Sequence, residues 1–146
     1  FLVIGNTGVH GSTSKQVAKV ATLLAEQPER HVEIEAIGSI ARKGIEALRV
    51  GNMELVGKAM TENHIVLRSL GVSSPDLEKL IKAAAPSSLG VKLTGSGGGG
   101  CMIALTKNPE QTVGAIEMEG GRAFISPFKP PGVRIETLSS QDTSLQ

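Results

Sequence analysis

The segment Lys92-Leu93-Thr94-Gly95-Ser96-Gly97-Gly98-Gly99-Gly100-Cys101 carries the strongest chemical signal in the sequence. Glycine in ordered backbone costs about 0.5–1 kcal/mol relative to alanine, so five of them between positions 95 and 100 cost roughly 3–5 kcal/mol. A whole domain is stable by only about 5–15 kcal/mol. A tight hairpin needs one or two glycines. The excess points to a close approach to the backbone, with N–H groups turned toward an anion. An idle flexible loop is the alternative, and the apolar runs at both ends argue against it. A second stretch, Thr7-Gly8-Val9-His10-Gly11-Ser12-Thr13-Ser14, joins an apolar run to a helical pattern. Unpaired N–H groups and the positive end of the helix dipole favour anions there. Three consecutive hydroxyls exceed the one that a plain N-cap requires. Lys92 and Thr94 alternate along a strand, so both face one side of it, toward a ligand or toward solvent.

Familiar phosphate motifs fail on context. Residues 95–100 satisfy G-x-G-x-x-G, but a dinucleotide fingerprint must open a helix, and Cys101-Met102-Ile103-Ala104-Leu105 continues as strand. A protein-kinase glycine loop also lies between strands, yet nothing like V-A-I-K, H-R-D or D-F-G follows. Neither G-x-x-x-x-G-K-[ST] nor G-x-S-x-G occurs. His10, His31 and His64 are dispersed, with no metal-ligand spacing among them or with Cys101, and read as capping or packing histidines. Cys101 reads as a small buried hydrophobe. Asn63 is a polar residue within an apolar helical pattern, either exposed or lining a site. No general base stands beside an acceptor hydroxyl, and no metal ligands are expected on this chain.

The elements that must position these residues follow from the apolar periodicity. Phe1–Gly5 reads as a buried strand. Helices follow with Val17, Val20, Ala21 and Leu24 on one stripe, then over His31–Arg49, then over Met53–Leu70, closed by Gly71. Ser74-Pro75-Asp76 opens a fourth helix in the order N-cap, N1 and acidic first turn. Gly90–Leu93 and Cys101–Thr106 are strands on either side of the glycines. Asn108-Pro109 starts a short helix that runs to about Met118. Ala123–Phe128 and Val133–Leu138 are late strand candidates, and the last residues form a frayed tail. With the four early helices taken as one crossover, the order is β-α-β-β-α-β. That is the ferredoxin-like split of an α+β fold, with an antiparallel sheet and helices packed on one face.

The chain of 146 residues is 40% hydrophobic and 20% charged, which suits one globular domain over residues 1–146. Fifteen Lys and Arg against fourteen Asp and Glu leave a net charge of +1, too small a field to recruit nucleic acid or an anionic membrane. Aromatic residues are 2%, which excludes base stacking as the chief recognition mode. No apolar stretch approaches the ~20 residues of a membrane helix, and no secretory n- or h-region opens the chain. A single cysteine fits a reducing compartment. The chain opens on Phe1 inside an apolar run, as expected of a piece of something longer.

At these residues the sequence resembles the C-terminal half of the mevalonate kinase family, within the GHMP small-molecule kinases. Residues 92–101 are similar to the superfamily motif K-x-T-G-[AS]-G-G-G-G-C. Asn63-His64, Leu67 and Leu70-Gly71-Val72-Ser73 resemble N-x-x-x-L-x-x-L-G-V, and Thr7 with Ser12-Thr13 resembles T-x-x-x-x-[NS]-T. Pro130-Pro131-Gly132-Val133-Arg134-Ile135 resembles a P-G-V strand. The resemblance implies phosphorylation of the mevalonate primary hydroxyl by ATP and Mg2+, in isoprenoid precursor synthesis, in the cytoplasm. It implies that Thr94, Gly95, Ser96, Gly97, Gly98, Gly99 and Gly100 steady the phosphate site, with Ser12, Thr13 and Lys92 toward the substrate. An N-terminal GHMP kinase domain would supply the nucleotide loop, the metal ligands and the catalytic residues, and a homodimer is left open. No P-x-x-x-G-L-x-S-S or G-E-H motif occurs, so the chain alone is expected to be inactive. His10 replaces a common proline and Ser96 a common alanine. A phosphomevalonate or homoserine kinase, or a stand-alone module binding a phosphorylated metabolite, are the other readings.

Overall fold

The computed structural model of the chain describes residues 1–126. Four strands, Leu2–Asn6 (β1), Gly90–Thr94 (β2), Cys101–Leu105 (β3) and Arg122–Ser126 (β4), form a sheet in the order β2-β3-β1-β4. Every neighbouring pair is antiparallel. This is the arrangement that a split βαβ pattern demands, with β1 inserted between β3 and β4. The register sets Val91, Ala104, Val3 and Ile125 in one row, and Lys92, Ile103, Ile4 and Phe124 in the next. Side chains alternate across a sheet, so the two rows face opposite sides. Phe128, the strand expected at 133–138 and the segment 130–135 lie outside the described residues.

The described residues form five helices: Thr13–Glu26 (α1), His31–Arg49 (α2), Met53–Ser69 (α3), Pro75–Ala84 (α4) and Pro109–Met118 (α5). A short 3-10 turn at Pro28–Arg30 links α1 to α2, and another at Ala85–Ser87 leads from α4 toward β2. The core lies between one sheet face and α4 and α5, where Leu77 and Ile116 meet Val3, Leu93 and Met102. The Ser74 hydroxyl caps α4 by accepting from the Leu77 amide at 3.3 Å, and Pro75 and Asp76 occupy its first turn. Ser74→Ala is expected to lower stability by about 1 kcal/mol. Thermal unfolding should show a fall of roughly 3 °C, and Ser74→Asp should retain the wild-type midpoint.

The edge of β2 is not left open. Helix α3 crosses it closely enough that a Cβ on Gly57 would run into the Leu89 carbonyl, and one on Gly90 into the Gly57 backbone. From that position α3 takes up the outward amides of the strand. The Val91 N–H donates to Thr61 Oγ1 at 3.3 Å, and the Leu93 N–H donates to His64 Nδ1 at 3.4 Å. An exposed edge strand templates unwanted pairing, and these two side chains cap it. Helix α2 packs along α3 and buries only Ala47 fully, so most of its apolar stripe stays partly exposed.

Candidate functional site

Strand register alone assembles the site. Asn6, the last residue of β1, is paired with Cys101, the first of β3. The hydroxyl-rich turn that follows β1 and the glycine loop that precedes β3 therefore meet at one end of the sheet. Their backbones are bonded together. The Thr7 amide and hydroxyl both donate to the Gly100 carbonyl, each at 2.9 Å, and the Gly100 amide donates to the Val9 carbonyl at 2.7 Å. From the other side the Gly98 amide donates to the Val72 carbonyl at 2.8 Å.

This bracing explains the glycines better than flexibility does. Gly97 has φ of 83°, and a Cβ there would enter the Val72 carbonyl oxygen. A Cβ on Gly99 would stand 2.6 Å from the Val9 oxygen, and one on Gly11 would strike the Gly97 carbonyl. Gly98 lies under the Gln16 amide, one turn into α1. The loop thus divides in two. Residues 97–100 are its braced half: the Gly98 and Gly100 amides are consumed by the fold, and Gly97 and Gly99, whose amides also donate to no described group, are buried against the Val72 and Val9 carbonyls. Gly95 and Ser96 form the presenting half: Gly95 is exposed, Ser96 is half-buried, and neither amide donates to a group among the described residues.

Thr13, the exposed first residue of α1, points its hydroxyl at Ser96, with Oγ1 and Oγ 3.2 Å apart. Ser12 is the N-cap of α1, its Oγ accepting from the Lys15 amide at 3.5 Å. The amides of residues 95–96, the two hydroxyls and the N-terminus of α1 make a donor-rich wall suited to phosphate oxygens. Lys92 is not part of that wall. It lies in a groove of about 410 Å³ between α2 and α3, lined by apolar residues such as Ile37, Ile45 and Met60 and by Asn63. Burial holds its ammonium below the usual lysine range, and no carboxylate pairs with it among the described residues. Thr94 lies on the same sheet face as Lys92.

Cys101 is half-buried rather than buried, because it sits on the sheet face away from the core. His10 and His31 are exposed, whereas His64 is buried. Among the described residues no group of three or more His, Cys, Asp or Glu could hold a metal ion, and no helix is long and apolar enough to cross a membrane. The sequence reading missed Gln16, Val9 and Val72 as the contacts that shape the loop. A backbone carbonyl leaves no mark in residue type.

Known proteins share this architecture. The chain is 38% identical over 145 residues to the mevalonate kinase of Pyrococcus furiosus, covering 94% of the chain and 43% of that protein. It is 37% identical over 126 residues to the mevalonate kinase of Archaeoglobus fulgidus. Among solved structures, the L. major mevalonate kinase in complex with R-mevalonate superposes with a TM-score of 0.70 at 32% identity, covering 81% of this chain and 36% of that one. The Lin0012 protein from Listeria innocua gives a TM-score of 0.79 at 26% identity, over 86% of this chain and 38% of that one. The chain spans less than half the length of the curated relatives that it matches. A family model described as GHMP kinases C terminal matches residues 45–117, from within α2, through β2, the glycine loop and β3, into α5. The chain belongs to the GHMP kinase C-terminal family.

Proposed function

We propose that the chain is the C-terminal domain of a mevalonate kinase, a cytoplasmic enzyme that phosphorylates the primary hydroxyl of mevalonate in isoprenoid precursor synthesis. The observation that carries this reading is the apposition of Gly95, Ser96 and Thr13, braced from behind, in a chain whose relatives are named mevalonate kinases. Phosphoryl transfer depends mostly on positioning and on stabilising charge at the phosphate. A rigid wall of donors contributes to both. The Gly95 and Ser96 amides and the Thr13 hydroxyl fit phosphate oxygens, and bound MgATP supplies the transferable phosphoryl group. Braced residues 97–100 keep Thr94 and the presenting half in place. Ser12 holds the first turn of α1, and Lys92, which stands apart from the wall in the α2–α3 groove, is assigned to the substrate side by the family resemblance alone. The Mg2+ ligands and the catalytic groups come, as the family resemblance implies, from an N-terminal GHMP kinase domain.

Two measurements test this. The purified chain alone should release no ADP that depends on mevalonate. A chimera in which this chain replaces the C-terminal part of the Pyrococcus furiosus enzyme should restore mevalonate-dependent ADP release. Turnover by the isolated chain, or a folded chimera that prefers homoserine or phosphomevalonate, would overturn the proposal.

A further inference from the structure

His64 lies in α3, outside the donor wall, yet both of its ring nitrogens lead to the glycine loop. Nδ1 accepts the Leu93 N–H at 3.4 Å, one residue before Thr94. Because Nδ1 is the acceptor, the proton sits on Nε2, which donates to Glu78 Oε1 at 3.0 Å. The same Glu78 oxygen accepts the Ser73 hydroxyl at 2.6 Å. Ser73 adjoins Val72, whose carbonyl receives the Gly98 amide. One buried imidazole, 4% exposed, is therefore tied to the strand that enters the loop and to the segment that braces it from behind.

We propose that His64 is a positioning residue for the glycine loop: as the neutral Nε2–H tautomer it clasps the Leu93 amide, and a second proton on the ring opens that clasp. A proton on Nδ1 would set N–H against N–H, so the strand edge would lose its acceptor. The surroundings favour the neutral ring. Burial holds the His64 pKa below its ordinary value; the Glu78 carboxylate on α4 opposes this, and Arg68 on α3 and Lys92 on β2 add to it. Lys79 and Lys82 line the same cavity. Burial would raise the Glu78 carboxyl, but the Ser73 hydroxyl, His64 and Arg68 outweigh it and keep Glu78 ionised. A histidine with a depressed folded pKa binds fewer protons than in the unfolded chain. Its stabilising effect is thus present above about pH 6.5 and is lost as pH falls below that.

The inference rests on the glycine loop being the phosphate-facing part of the kinase, but its test needs no ligand, so it can fail while the kinase reading stands. Amide hydrogen exchange is followed in the 146-residue chain at about pH 7.5 and about pH 5, corrected for intrinsic rates, with Val3 as the core reference. In the wild type, protection at Leu93 and Gly98 should drop about tenfold more than at Val3 on acidification. His64→Asn, whose side-chain oxygen can replace Nδ1, should keep Leu93 protection at both pH values. His64→Gln, which reaches Glu78 instead, should lose it at both. Leu93 and Gly98 tracking Val3 in the wild type would overturn the inference. So would an acid-induced loss in His64→Asn equal to that of the wild type.

Discussion

Gly97→Ala is expected to lower kcat of the chimeric two-domain kinase about 100-fold, the loss that follows from misplacing a positioning group by an ångström. Two effects combine at this residue. Its φ of 83° imposes about 1–2 kcal/mol of backbone strain on alanine. Its Cβ would also enter the Val72 carbonyl oxygen, which already holds the Gly98 amide. A carbonyl within packed backbone cannot rotate aside, so the loop must lift and carry Gly95 and Ser96 with it. Gly8→Ala separates strain from collision, because Gly8 has φ of 73° and open space where its Cβ would go. Steady-state ADP release should stay within a few-fold of wild type in Gly8→Ala. Equal activity in Gly97→Ala and Gly8→Ala would show that the bracing is immaterial.

Gly57→Ala should give the largest loss of stability. The backbone dihedrals there are helical, so the argument is one of space alone. The added methyl would overlap the Leu89 carbonyl, and α3 would have to withdraw from β2. Withdrawal loosens the Thr61 and His64 bonds to the strand edge and the packing of Val56 against Leu105. The expected cost is about 3 kcal/mol, read as a fall of roughly 10 °C in the thermal midpoint. Gly114→Ala in α5 meets nothing within 4 Å and should raise stability by about 0.5 kcal/mol. Comparable midpoints for the two variants would show that α3 does not approach the strand as closely as described.

These variants also mark what the sequence could and could not convey. Ser74-Pro75-Asp76 announces α4, apolar periodicity places every helix within a residue or two, and the glycines flanked by apolar runs announce a strand–loop–strand unit. The split β-α-β-β-α-β order then leaves little choice of sheet. Each of those signals is local. Gly57 gives no such signal, since a glycine inside a helical pattern looks the same whether or not another backbone lies against it. Nor could residue types divide the loop into a braced and a presenting half. All six positions from 95 to 100 looked like candidate anion donors, but carbonyls of Val9 and Val72 claim the Gly100 and Gly98 amides. Lys92 and Ser96 stand close in sequence, yet α2 and α3 draw the lysine into a groove of its own.

Nucleotide titration of the chimera carrying 15N-labelled glycine tests the division of the loop most directly. With saturating ATP and Mg2+, Gly95 should show the largest amide shift among the glycines of this chain, while Gly98 and Gly100 keep the positions set by their carbonyl partners. A stationary Gly95 in protein that binds the nucleotide would contradict the account.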